Sequence, residues 1–115
     1  MESSILNTIK KMLGVEPEDD SFDEEITNHI NGAFYNLWQL GIGPKNGFLI
    51  NGSETTWSDY SDNQCIIAAL KPYIQSKVRL LFDPPSNSFV TESIKNNISE
   101  LEWRLNVQAE GGFDG

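Results

Sequence analysis

The sequence predicts a mainly α protein: a small antiparallel bundle of about four helices, with a short β-hairpin or loop inserted between the second and third. Three observations predict it. Apolar residues recur at three- and four-residue spacing in four separate segments. Those segments are punctuated by polar capping residues, glycines and prolines. Between Gly43 and Trp57 the helical period breaks, and two short β-prone arms flank Asn51-Gly52.

The first helix spans residues 3–13, with Ile5, Leu6, Ile9, Met12 and Leu13 on its apolar face. Ser3 or Ser4 can cap it, and Gly14 stands where a left-handed residue is wanted after a helix. An acidic linker, residues 15–20, carries Pro17. Ser21-Phe22-Asp23-Glu24 then matches a capping box and opens the second helix. Its stripe runs through Phe22, Ile26, Ile30, Phe34 or Ala33, Leu37 and Leu40, and Gly41 and Gly43-Pro44 stop it. Phe48-Leu49-Ile50 and Thr55-Thr56-Trp57 are the hairpin arms, too short to stand alone. The third helix starts at Ser61 or Asp62 and reaches Phe82, with Ile66, Leu70, Tyr73, Ile74, Val78 and Leu81 in its stripe. Pro72 inside it predicts a kink or a junction of two helices. Asp83-Pro84-Pro85 ends it. The fourth helix runs from Ser88, its expected cap, to Asn106. Its seam of Val90, Ile94, Ile98, Leu101 and Leu105 suits antiparallel packing on the third. Residues 1–106 thus form one helical domain, and 107–115 a flexible tail.

Length sets one domain with one core. Hydrophobic residues make up 38% and charged residues 22%, so the chain can bury enough to fold. One cysteine, Cys65, excludes a disulfide framework and fits a reducing compartment. No apolar run approaches a membrane span, and the N-terminus lacks the pattern of a secretory signal. A soluble chain made in the cytoplasm, with no membrane partner, is expected. The net charge is −9, and the first 25 residues, with eight acids and two lysines, hold −6 of it. No basic stripe exists to grip a phosphate backbone. Glu16, Glu18, Asp19, Asp20, Glu24 and Glu25 are either a solvated loop and helix start, or an acidic face for a basic partner.

Catalytic and metal-binding patterns fail one by one. An EF-hand started at Asp19 or Asp59 would place Glu24 or Gln64 at the sixth position, where a glycine is required. His29 is the only histidine and has no cysteine or second histidine near it in sequence. Gly41-Ile42-Gly43-Pro44-Lys45 lacks the spacing of a phosphate loop and follows a helix. Glu100 and Glu102 are two apart, so on a helix they face different ways. No enzyme, metal or cofactor is expected.

The aromatic residues are more informative. Trp38 and Trp103 are expected to help close the bundle. Phe48, Ile50, Trp57 and Tyr60, on or beside the insertion, are candidate interaction residues; equally, the insertion can fold back as a lid. Phe113, on the tail, is a further candidate anchor.

Several pieces together resemble one family. They are Leu40-Gly41-Ile42-Gly43-Pro44, Gly47-Phe48, Thr56-Trp57-Ser58-Asp59-Tyr60, Lys77-Val78-Arg79-Leu80-Leu81-Phe82-Asp83-Pro84-Pro85 and Glu102-Trp103-Arg104-Leu105-Asn106. The chain resembles, over residues 3–106, the small head–tail connector (head-completion, adaptor) proteins of tailed bacteriophages and prophages of Gram-positive bacteria. The resemblance implies a non-enzymatic virion protein at the neck, assembled as a ring, commonly twelvefold, beneath the portal protein. Such a ring extends the channel through which genomic DNA passes without specific binding, and receives a downstream neck or tail protein. Cyclic rings need two different contact faces per protomer; the insertion 43–57 and the tail 107–115 are the candidates. The competing reading is an acidic protein-binding module, a DNA mimic that fills a basic cleft. A mimic spreads carboxylates over its whole surface, whereas these concentrate near one end.

Overall fold

Ser4 begins the first helix as the sequence predicts, its hydroxyl oxygen accepting from the Asn7 amide at 3.1 Å. The computed structural model describes residues 4–110, with side chains through residue 107. Five helices are present among the described residues: α1 (Ile5–Met12), α2 (Asp23–Gln39), α3 (Trp57–Tyr60), α4 (Gln64–Phe82) and α5 (Ser88–Glu110).

Helices α1 and α2 end alike. After α1, Gly14 takes φ +84°, its amide donates to the Lys11 carbonyl, and the Val15 amide to that of Lys10. After α2, Gly41 takes φ +81°, donating to the Trp38 carbonyl, while the Ile42 amide donates to that of Leu37. Both are Schellman closures, which satisfy carbonyls that the helix itself cannot. In the second, Ile42 and Leu37 are both buried, supplying the apolar contact that accompanies this motif.

The core lies where α1, α2 and α4 meet, and α5 covers α4. Ile5, Leu6 and Ile9 from α1 meet Ile26, Ile30, Phe34 and Leu37 from α2 and Leu70, Tyr73, Ile74 and Val78 from α4. Each such side chain withdrawn from water stabilises the fold by about 1.5–3 kcal/mol before chain entropy is counted. The pairings set the directions. Phe22 meets Phe82 with ring centroids 5.3 Å apart, while Asn36 reaches Tyr73, so α2 and α4 run antiparallel. Tyr73 binds Glu102, and Leu80 and Leu81 share a groove with Lys95 and Ile98, so α4 and α5 do the same.

The expected β-hairpin does not form. No strand is present among the described residues; one isolated bridge joins Ser4 and Thr56. The reason is competition for backbone groups. Asn31, on α2, takes both groups of Ile50: its Oδ1 accepts from the Ile50 amide at 2.7 Å, and its Nδ2 donates to the Ile50 carbonyl at 3.2 Å. The Thr55 carbonyl instead accepts from the Ile5 amide, and the Thr55 hydroxyl from the Asn51 amide. Each arm therefore bonds to a helix or its own loop rather than to the other arm. The second arm runs into α3, where the Asp59 carboxylate accepts from the Thr56 amide at 2.8 Å, half of a capping box.

Other boundaries shift. The Ser21–Glu24 box is not made: Phe22 occupies the cap of α2, and the Ser21 amide donates to Asp19. Asn63 caps α4, accepting from the Cys65 and Ile66 amides. Asn87, not Ser88, caps α5 through the Phe89 amide. Helix α4 passes through Pro72 as one element. Helix α5 continues four residues beyond Asn106, so 107–110 are helical. Among the described residues, no helix is long and apolar enough to cross a membrane.

Candidate interaction site

The segment Glu102–Asn106 has two faces set by helical spacing. Glu102, Leu105 and Asn106, at i, i+3 and i+4, turn inward. Glu102 Oε2 accepts from the Tyr73 hydroxyl at 2.8 Å, with Lys77 Nζ at 3.9 Å. Burial and then the neighbouring Glu102 carboxylate hold the Tyr73 phenol well above its ordinary range. Leu105 is buried. Asn106 Nδ2 donates to the Leu40 carbonyl at 2.7 Å, tying α5 to the C-terminus of α2. The intervening Trp103 and Arg104 turn outward. Trp103 is 66% exposed, and Arg104 pairs with Glu100 at 2.8 Å across one turn. Trp103 therefore does not close the bundle as expected. It lies off the Ile94, Ile98, Leu101, Leu105 seam, a phase legible in the sequence. Beside it, Ala69, Leu101 and Val107 help line a shallow depression of about 380 Å³.

The insertion 43–57 packs down as a lid. The rings of Phe34, Phe48 and Tyr60 meet pairwise with centroids 4.9–5.1 Å apart. Trp57 is buried, its indole N–H donating to the Thr8 hydroxyl at 3.1 Å, with Lys71 Nζ 5.6 Å from the ring centroid. Of the candidate interaction residues, Ile50, Trp57 and Tyr60 thus serve the core of the chain itself, and Phe48 is half-buried. Phe113 lies outside the described residues. The side chains this region leaves outward are others: Leu49, Tyr35 and Trp38, which join Phe48 around a cavity of about 200 Å³. Trp38, also expected to close the bundle, is 43% exposed and folds over the next turn, donating to the Lys45 carbonyl at 2.9 Å.

Tyr60 sits tightly against Gly43, whose φ of +94° and lack of a side chain admit the ring. Its buried hydroxyl has no hydrogen-bond partner, and burial pushes the phenol up to about 12.

Glu16, Glu18, Asp19, Asp20, Glu24 and Glu25 are all exposed. The Ser21 hydroxyl and amide hold the Asp19 carboxyl below its usual range. The linker that carries the first four is anchored by a residue sequence reasoning passed over. Lys10 is fully buried; its ammonium lies 2.7 Å from Asp23 Oδ1 and donates to the Pro17 carbonyl at 3.0 Å. Its position four after Leu6, in phase with the apolar face, was the available signal. Among the described residues, no group of three or more histidines, cysteines and acids is placed to hold a metal ion. His29 stands beside Glu25 at 3.6 Å on α2.

These features describe a small helical protein whose polar side chains tie its helices together and whose flanks carry large apolar side chains. The sequence model of the family described as phage connector protein matches residues 5–112. The chain belongs to that family, the head–tail connectors its sequence resembles. Comparisons with curated proteins and with solved structures returned no match.

Proposed function

We propose that this connector is a structural component of the virion neck, forming a ring beneath the portal that extends the DNA channel and joins head to tail. Family membership over nearly the whole chain supports a structural connector role, with portal and tail proteins as neighbours. The observation that carries the finer reading is the outward placement of large apolar side chains around a closed core: Trp103 on α5, and Leu49 with Tyr35 and Trp38 beside the lid. Contiguous exposed apolar groups mark association surfaces, and two separate patches suit a protein that meets more than one neighbour in the neck. Of the exposed acids, Glu16, Glu24 and Glu25 suit a passage that DNA must slide through without being held. We assign the chain no catalytic role.

Electron microscopy of particles from the parent phage lacking this gene tests the proposal. Separate heads and complete free tails are expected. Normally joined particles would remove the connector reading and bring forward the acidic binding module, whose mark is salt-sensitive capture of a DNA-binding enzyme.

A further inference from the structure

The outer end of the α4–α5 hairpin carries a groove of about 390 Å³. Leu80, Leu81 and Ile98 supply its apolar lining, and Lys77 and Lys95 stand on its opposite helices. Leu81 is 64% exposed, although it follows the apolar stripe of α4. Both lysines are held loosely by their own protomer: Lys95 to Glu92 and Lys77 to Glu102, each at 3.9 Å. At the same end of the molecule, the linker presents the complementary chemistry. Glu18, Asp19 and Asp20 are exposed and lead directly to Phe22, whose ring is 41% exposed.

We propose that the groove receives the Glu18–Phe22 segment of a second copy of the chain, the acids meeting Lys95 and Lys77 and the Phe22 ring meeting Leu81. A protomer cannot fill its own groove this way. Its Phe22 is packed on Phe82, and neighbouring residues on a helix point about 100° apart, so Leu81 opens on a different flank of α4. That offset also suits an assembly. Segment and groove lie at one level of α4 but on different flanks, so each copy offers its segment to the next and its groove to the previous one. A heterologous contact of this kind repeats around a ring. Charge favours the pairing: the first 25 residues carry −6, while α4 and α5, with five bases and four acids, carry +1, and the groove itself sets Lys77 and Lys95 against the one carboxylate of Glu102. This inference rests on the ring reading above and specifies one of its interfaces.

The test uses the full-length chain and two variants. Lys95→Glu makes the groove acidic and keeps the acidic segment. Glu18→Lys/Asp19→Lys/Asp20→Lys makes the segment basic and keeps the basic groove. All four positions are exposed, and circular dichroism checks that helix content is retained. Sedimentation at low salt reads the assembled fraction. The wild type is expected to assemble, each variant alone to lose at least tenfold in that fraction, and an equimolar mixture to regain it, since segments and grooves then alternate in sign. Undiminished assembly of Lys95→Glu overturns the proposal. So does a mixture that stays dissociated, or a wild type that stays monomeric at every concentration. The gene-deletion phenotype separates the two failures: unjoined heads and tails with no contact between copies sink this interface alone, whereas joined particles sink the connector reading beneath it.

Discussion

Asn106 and Leu40 are 66 residues apart in sequence and 2.7 Å apart in space, the side-chain amide of one donating to the main-chain carbonyl of the other. The carbonyl belongs to the last turn of α2, where helices leave acceptors unsatisfied. One hydrogen bond from α5 therefore completes α2. Asn106→Ala is expected to destabilise the protein by about 1–2 kcal/mol. Asn106→Asp is expected to cost more, because an ionised carboxylate cannot donate and meets the negative end of the helix dipole. Urea unfolding of the three proteins checks both statements.

Lys10 holds the acidic linker from within. Removing one member of a buried pair leaves the other uncompensated, at about 3–5 kcal/mol. Asp23 is 34% exposed, so a loss below that range, about 2–3 kcal/mol, is expected for Lys10→Ala. Linker 14–22 should also become more sensitive to limited proteolysis. Unchanged stability together with unchanged cleavage would contradict the clamp.

Tyr60 and Gly43 make an opposite pair of predictions. The Tyr60 hydroxyl is buried without a partner, so Tyr60→Phe is expected to be neutral or stabilising by up to about 1 kcal/mol. Gly43→Ala drives a Cβ into that hydroxyl at φ +94°, and should cost at least about 1–2 kcal/mol. Part of that loss should return in the double variant, which removes the nearest clash. Thermal denaturation of the four proteins closes this cycle.

Burial raises the Tyr60 phenol from 10 to about 12, and Tyr73 is raised as well. The folded state thus keeps protons that the unfolded state releases. The contribution to stability is fully present below pH 10 and falls as pH rises from 10 towards about 12. Unfolding measured between pH 8 and 12 should show this decline, and Tyr60→Phe should make it shallower. A stability that rises with pH across that window would contradict the assignment.

Trp103 offers a test of the outward face. At 66% exposure its removal should change the stability of the chain by no more than about 0.5 kcal/mol. In the phage, Trp103→Ala is expected to lower the yield of joined particles at least tenfold. A variant with normal yield would move the interface elsewhere.

The sequence by itself determined the helices, because their causes are local. Ser4 and Gly14 bracket α1, Gly41 closes α2, and Asp83-Pro84-Pro85 ends α4 as read, each through a neighbour within a few residues. The inward phases of α1, α2 and most of α4 were legible for the same reason. The family, too, was legible from short pieces spread along the chain. Only the tertiary structure decided what bonds across long separations. Asn-Gly favours a hairpin, yet Asn31, about 20 residues upstream, takes the Ile50 backbone and leaves a lid instead. Leu81 follows the stripe of α4 but opens onto a groove, because none of the described residues covers that flank. Asn106 reads as one more polar residue on a helix surface until α2 is found ending beside it. Local sequence sets which backbone groups a helix must leave unpaired; only the packing of distant segments decides which side chain pairs them.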